Sequence, residues 1–157
     1  MILDKMVLSK EEDKTVFIIK LLLYSFVYGL FIINVIDLTT KGFWGYHLFL
    51  IACYFAPFVI VCLIIGFDDW ELLMSLGLIA SLMNDLFYAP IGMILFGRKY
   101  DLIEWYLWQL GFYGLDTKWW FDGGFFKIPV SSILMGLSIY ARIITSYLIL
   151  LKWWRES

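Results

Sequence analysis

Two ionisable residues of opposite sign stand in surroundings that should exclude them. Asp85, beside Asn84, lies near the middle of one long apolar run, and Arg142 lies near the middle of another. The runs are long enough to cross a bilayer, where a charged side chain is costly and marks a pathway, a ligand site or a counter-ion. Each residue sits about two positions past the centre of its run. In antiparallel neighbouring helices that offset is about 6 Å along the axis, at about 1.5 Å per residue, which an extended arginine covers. A carboxylate beside a guanidinium can hold helices in register, or it can bind a proton, a cation or a polar ligand with the arginine setting its affinity.

Residues at helical spacing extend both positions into stripes. Ser81, Asn84, Asp85 and Tyr88, flanked by Gly77 and Gly92, share one face of their run. Ser131, Ser138, Arg142 and Thr145 form the stripe of the other, with Ser132, Gly136 and Ser146 near its edge. Tyr24, Ser25, Tyr28, Gly29 and Asn34 supply a third stripe in the first run. Lipid tails cannot satisfy hydrogen-bonding groups, so the three stripes are expected to face one another as a polar seam. Small residues among them let helices approach closely.

The elements that carry these stripes follow from composition. The chain has 157 residues, of which 62% are hydrophobic and 17% charged, with a mean hydropathy of +0.83. A soluble domain carries about a quarter charged residues. The fold expected is an all-α, polytopic membrane bundle with four transmembrane helices over about 15–36, 44–66, 71–96 and 128–151. Residues 1–14 read as a polar tail, and 15–157 as a single transmembrane domain. Ser9 with Glu12 resembles a capping box at the entry to the first helix. The tail lacks the pattern of a secretory signal. The segment 100–127 is expected to hold an in-plane amphipathic helix followed by a polar loop that turns at Gly123-Gly124. A fifth span is the alternative for its first part. Trp105, Trp108, Trp119 and Trp120 are read as a headgroup-level belt, together with Asp116 and Asp122.

Other features narrow the function. A net charge of −2 gives no footprint for nucleic acid. Basic residues divide equally between the two sides of the bundle, so the positive-inside rule assigns no orientation. Asp68, Asp69 and Glu71 fall in one loop and Asp116 and Asp122 in another. These read as partners of helix N-termini, not as a metal centre. The single histidine, His47, reads as interfacial, and no zinc or haem ligand set is evident. Cys53 and Cys62 point to opposite helix faces and cannot bridge. Pro57 and Pro90 lie inside spans, where each frees a carbonyl and can kink the helix. No catalytic or cofactor motif is present to name an enzyme class.

Three functions remain. The first is a non-catalytic subunit or assembly partner of a larger membrane complex. The second is a small homo-oligomeric transporter or channel built on Asp85 and Arg142. The third is a protein or enzyme that binds a lipid, quinone or isoprenoid. The partners expected are membrane lipid and either another membrane protein or a second copy of the chain.

Overall fold

A computed structural model describes the backbone of residues 2–40, 42–65 and 69–156, with side chains from residue 15 onward except that of residue 65. The elements are α1 (Ile2–Val27), a π-helical turn (Tyr28–Ile33), α2 (Asn34–Thr40), α3 (Tyr46–Ile65), α4 (Trp70–Phe96), α5 (Leu102–Gln109), β1 (Thr117–Asp122), β2 (Lys127–Ser131) and α6 (Ser132–Glu156). Four helices are long and apolar enough to cross a membrane: Thr15–Thr40, Tyr46–Ile64, Trp70–Phe96 and Ser132–Glu156. Their outer faces carry exposed Phe17, Leu23, Ile60, Leu63, Ile144 and Leu148, side chains that a water-facing helix would replace with charge.

The bundle is organised around α4, which packs against every other helix. It is also the most buried of the four. The small residues of its sequence explain why. Gly29 of the π turn meets Ala80 so closely that an added Cβ would lie 2.3 Å from the Ala80 carbonyl oxygen. Ser25 Oγ donates to the Leu76 carbonyl at 2.5 Å, and Ser146 Oγ reaches the Ser75 carbonyl at 3.5 Å. The first-span stripe therefore faces α4 through Ser25 and Gly29 and reaches α3 through Tyr28, whose hydroxyl donates to the Cys53 carbonyl at 2.8 Å, while Asn34 is buried and Tyr24 stays half exposed. The π turn has a local cause for persisting: its widened register leaves carbonyls short of donors. The Asn34 amide donates to two of them, Gly29 at 3.1 Å and Leu30 at 2.9 Å.

Several boundaries differ from those expected. The first helix begins at Ile2, so Ser9 lies within it and not at its start; the side chains of the capping pair lie outside the described residues. The turn residue Lys41 and the loop residues Phe67 and Asp68 also lie outside them. Helices α3 and α4 run through Pro57 and Pro90 without interruption. Residues 128–131 are not the first turn of the last helix. They form β2, paired antiparallel with β1, with Trp120 opposite Pro129 and Phe121 opposite Ile128. Pro129 and its β-branched neighbours Ile128 and Val130 suit an edge strand better than a helix. The expected polar loop over 116–124 is thus a hairpin, tipped at Gly124 with φ of +81°.

Segment α5 is eight residues long, about 12 Å of helix, so it does not span. Asp101 caps it by accepting from the backbone N–H groups of Ile103 and Glu104 at 3.0 and 3.1 Å. The turn after α5 closes the start of α6: Ser132 N–H donates to the Asp116 carbonyl at 2.8 Å and Ser132 Oγ to the Trp108 carbonyl at 2.7 Å. Trp108 is therefore core and not belt. It is 1% exposed among Leu82, Met135 and Ile139.

The hairpin is clasped to the start of α3. His47 Nδ1 accepts the Asp122 backbone N–H at 2.7 Å, and its ring stacks on Trp119 and Phe121. Trp44 packs edge-on to Phe125 at the tip. The Gly124 backbone N–H, 2.8 Å from Asp122 Oδ1, holds the Asp122 carboxyl below the ordinary carboxylate range, with help from the Lys127 ammonium 3.7 Å away. A carboxyl whose folded value is lowered contributes stability above its unfolded value of about 3.9 and loses it as pH falls through the folded value. Hydrogen exchange at the Gly124 amide should accelerate, relative to the intrinsic rate, as pH falls below the ordinary carboxylate value of about 4 and through the lowered folded value. Asp122→Asn should remove that pH dependence; an unchanged profile in the variant would count against the clasp.

Candidate functional site

Among the described residues, α3 and α6 each pack along α4 and not along one another. The space left between them is a cavity of about 890 Å³. Its back wall is α4, its sides are α3 and α6, and the hairpin with α5 covers one end. Leu78 to Tyr88 of α4 line it, about 15 Å of helix. The Phe55 ring lies against Gly77, where an added Cβ would overlap it at 2.3 Å, and forms the floor. Beyond the floor the bundle is filled by Phe58, Cys62, Leu73, Leu76 and Ala80. The cavity thus ends inside the molecule.

Two polar clusters meet on the α4 wall. Arg142 Nη2 lies 2.5 Å from Asp85 Oδ2. The same guanidinium donates through Nη1 to Ser81 Oγ and through Nε to the Ser138 carbonyl, both at 3.1 Å. The four contacting groups come from α4 and α6, so the pair joins these helices across the cavity wall. The side chains keep 20% and 16% of their exposure for Asp85 and Arg142, and both residues line the cavity. The second cluster centres on Asp37, which the sequence suggests as a turn residue. It stands instead in α2, 7% exposed, with one carboxylate oxygen accepting from the Tyr46 hydroxyl and the other from Asn84 Nδ2 at 2.9 Å. Asn84 Nδ2 also donates to the Tyr54 hydroxyl at 3.1 Å. Asn84 and Asp85 are adjacent and about 100° apart around α4, so one faces the α2–α3 side and the other faces α6.

The mouth is built by the end of α4. Gly97, with φ of +61°, takes the left-handed conformation that terminates the helix, and the Arg98 N–H closes back on the Gly92 carbonyl at 3.1 Å. The chain reversal lets the Arg98 guanidinium donate to the Tyr88 hydroxyl and the Leu38 carbonyl, each at 3.0 Å. Tyr88 stacks on Trp105 with ring centroids 5.6 Å apart.

The residues expected in the seam are thus partly assembled. Ser81, Asn84, Asp85, Tyr88, Ser138 and Arg142 line one cavity. Thr145 does not: it is exposed on the outer face, and the neighbouring Ser146 makes the α4 contact. One helical step of about 100° separates the two. Trp105 and Trp119 also line the cavity, as do Trp120 and Asp122 near the hairpin; Asp116 acts through its backbone carbonyl, with its side chain exposed. The two acidic groups stand at opposite ends of the bundle. Glu71 bonds Lys152 and Asp69 accepts from Trp153 near the end of α6, whereas Asp116 and Asp122 lie near its start. Spacing alone does not single out Asp37, Tyr46, Tyr54, Arg98 and Gln109, which also line the cavity.

No family model, curated protein or solved structure matches this chain.

The cavity's own atoms therefore define its chemistry. Three polar atoms of lining residues are buried without a hydrogen-bond partner among the described residues: Asn84 Oδ1, Gln109 Oε1 and Trp105 Nε1. A fourth, Asn34 Oδ1, belongs to a residue that does not line the cavity. Each such atom costs about 1–3 kcal/mol when nothing bonds it. The remaining lining is mainly aliphatic and aromatic, from Leu50, Ile51, Phe55, Leu78 and Met135.

Proposed function

We propose that the chain is a multi-pass membrane protein that binds an amphiphilic small molecule in the cavity between α3, α4 and α6. The polar part of the ligand sits against the α4 wall at Asn84 and the Asp85–Arg142 pair, and its apolar part runs along Leu50, Ile51 and Met135. The observation that carries this reading is the Asp85–Arg142 pair, still 20% and 16% exposed, on the wall of a space of about 890 Å³ that is also lined by Leu50, Ile51, Phe55, Leu78 and Met135. Sites for small molecules combine an apolar lining with a few placed polar groups in this manner. A cavity closed below by Phe55 and Gly77 favours binding over an open channel. The outward apolar faces of α1, α3 and α6 are accounted for by surrounding lipid.

Ser138 offers a clean test. It lines the cavity, and only its backbone carbonyl is used by Arg142. Ser138→Trp should fill space without removing a partner. Depletion of lipid should lower the Tm of the wild-type protein, and an extract of its native membrane should restore it. The same extract should restore much less in Ser138→Trp. Equal recovery in both would assign the stabilisation to lipid around the bundle and sink the proposal.

A further inference from the structure

Among the described residues, four cations line the cavity: Arg98, Lys118, Lys127 and Arg142. Three of them have a carboxylate at hand. Arg142 lies 2.5 Å from Asp85, Lys118 lies 2.6 Å from Glu104, and Lys127 lies 3.7 Å from Asp122. Arg98 differs. Among the described residues it makes no ion pair. Its partners are neutral: the Tyr88 hydroxyl and the Leu38 carbonyl, each at 3.0 Å, and the Tyr100 hydroxyl beside them, with the Phe96 ring 6.0 Å from its Cζ. These groups accept hydrogen bonds without cancelling the charge. A guanidinium has five N–H donors. The three oxygens occupy three of them and leave two for a ligand.

The position suits a ligand head. Arg98 follows Phe96, where the apolar span of α4 ends, and it is neither fully buried nor fully exposed. Aromatic rings wall its surroundings: Tyr88 stacks on Trp105 at 5.6 Å, and Tyr100 meets Trp105 edge-on at 5.5 Å. A charge among rings attracts an opposite charge more strongly than the same charge in bulk water. Through Tyr88 the guanidinium is tied to α4 one helical turn beyond Asn84 and Asp85, about 4.5–6 Å along the axis. A head resting on that wall therefore brings an oxyanion within its reach. Asp37 is the lining acid that could oppose this. It is 7% exposed, with its carboxylate accepting from Tyr46 and Asn84, and presents little of itself to a ligand.

Resting on the amphiphile reading above, we propose that the head of the ligand is anionic, a phosphate or a carboxylate, and that Arg98 binds its oxygens at the cavity mouth. The planar fork of arginine matches either oxyanion.

The test uses the full chain in dodecyl maltoside, whose head carries no charge. Four probes with ten-carbon chains are titrated by calorimetry against protein-free micelles, at a pH that keeps the acids ionised: decyl phosphate, decanoate, decyl glucoside and decyltrimethylammonium. One or both anions should bind saturably, at least about tenfold tighter than the glucoside and the ammonium, tenfold being the size of one charge-assisted hydrogen bond. The preferred anion separates a phosphate head from a carboxylate head. Arg98→Gln should weaken anion binding about tenfold and leave decyl glucoside unchanged, because the substitution removes the charge and the fork but keeps an amide donor. An equal loss for the anion and the glucoside would make Arg98 structural and overturn the assignment. The ranking of the four probes on the wild-type protein needs no variant, so it decides the matter even if Arg98→Gln fails to fold. Equal or tighter binding of decyl glucoside or decyltrimethylammonium there would overturn the anionic head and leave the amphiphile reading standing. Binding of none of the four would overturn both.

Discussion

Arg142→Ala should lower the Tm more than Asp85→Asn and Arg142→Ala do together. Removing the arginine leaves the Asp85 carboxylate on the α4 wall without the guanidinium 2.5 Å away. Breaking one side of a buried pair costs about 3–5 kcal/mol, whereas replacing both charges is often close to neutral. The residual exposure of the two side chains, 20% and 16%, places the effect near the lower end, about 3 kcal/mol. At about 2–4 °C per kcal/mol for a chain of this size, the single change should lower the Tm by roughly 10 °C. The double change should recover more than half of that. It will not recover all, because Arg142 also bonds Ser81 Oγ and the Ser138 carbonyl. Thermal unfolding of the four proteins of the cycle measures the coupling directly. Simple additivity would show that the pair contributes nothing as a pair.

The second large effect concerns backbone contact, not charge. Gly29→Val should destabilise the bundle by about 3 kcal/mol or more, at the upper end for overpacking. An added Cβ lies 2.3 Å from the Ala80 carbonyl oxygen, 2.7 Å from its Cα and 2.9 Å from its carbonyl carbon. All three atoms are main chain, so relief requires the π turn and α4 to separate along their length. Separation also strains the Ser25 bond to Leu76 one turn away. Gly77→Ala is the informative comparison. The atoms nearest its Cβ would all belong to the Phe55 ring, which can swing toward the cavity, so its loss of stability should be smaller and its loss of ligand binding larger. A Gly29→Val protein that unfolds within a degree or two of the wild type would contradict the close approach of these helices.

Local pattern carries some of these features and not others. The four long helices are legible because about 20 apolar residues in a row is a property of the chain itself. Asp85 and Arg142 stand out for the same reason, each being a charge inside such a run. Asp37 could not be read this way. Followed by Thr39, Thr40, Lys41 and Gly42 it looks like a turn, and only Tyr46 and Asn84, brought in by other helices, explain its burial in α2. The hairpin was hidden for a related reason. Strand pairing between Thr117–Asp122 and Lys127–Ser131 is a relation between segments, and the Trp residues of β1 equally suit an interface belt. Thr145 and Ser146 illustrate a phase error, since one residue decides which hydroxyl meets α4. The cavity itself has no signature in periodicity. It arises because α3 and α6 both choose α4 as their neighbour.

Retention of an amphiphile by the protein is the central claim, and native mass spectrometry after gentle extraction from its own membrane measures it most directly. The expected spectrum contains a saturable adduct of lipid-like mass at one per chain, present in the wild type and strongly reduced in Ser138→Trp. Bare protein, or an unselective ladder of adducts identical in the two proteins, would contradict a binding cavity; a heteromeric mass with no adduct would move the function to a partner subunit.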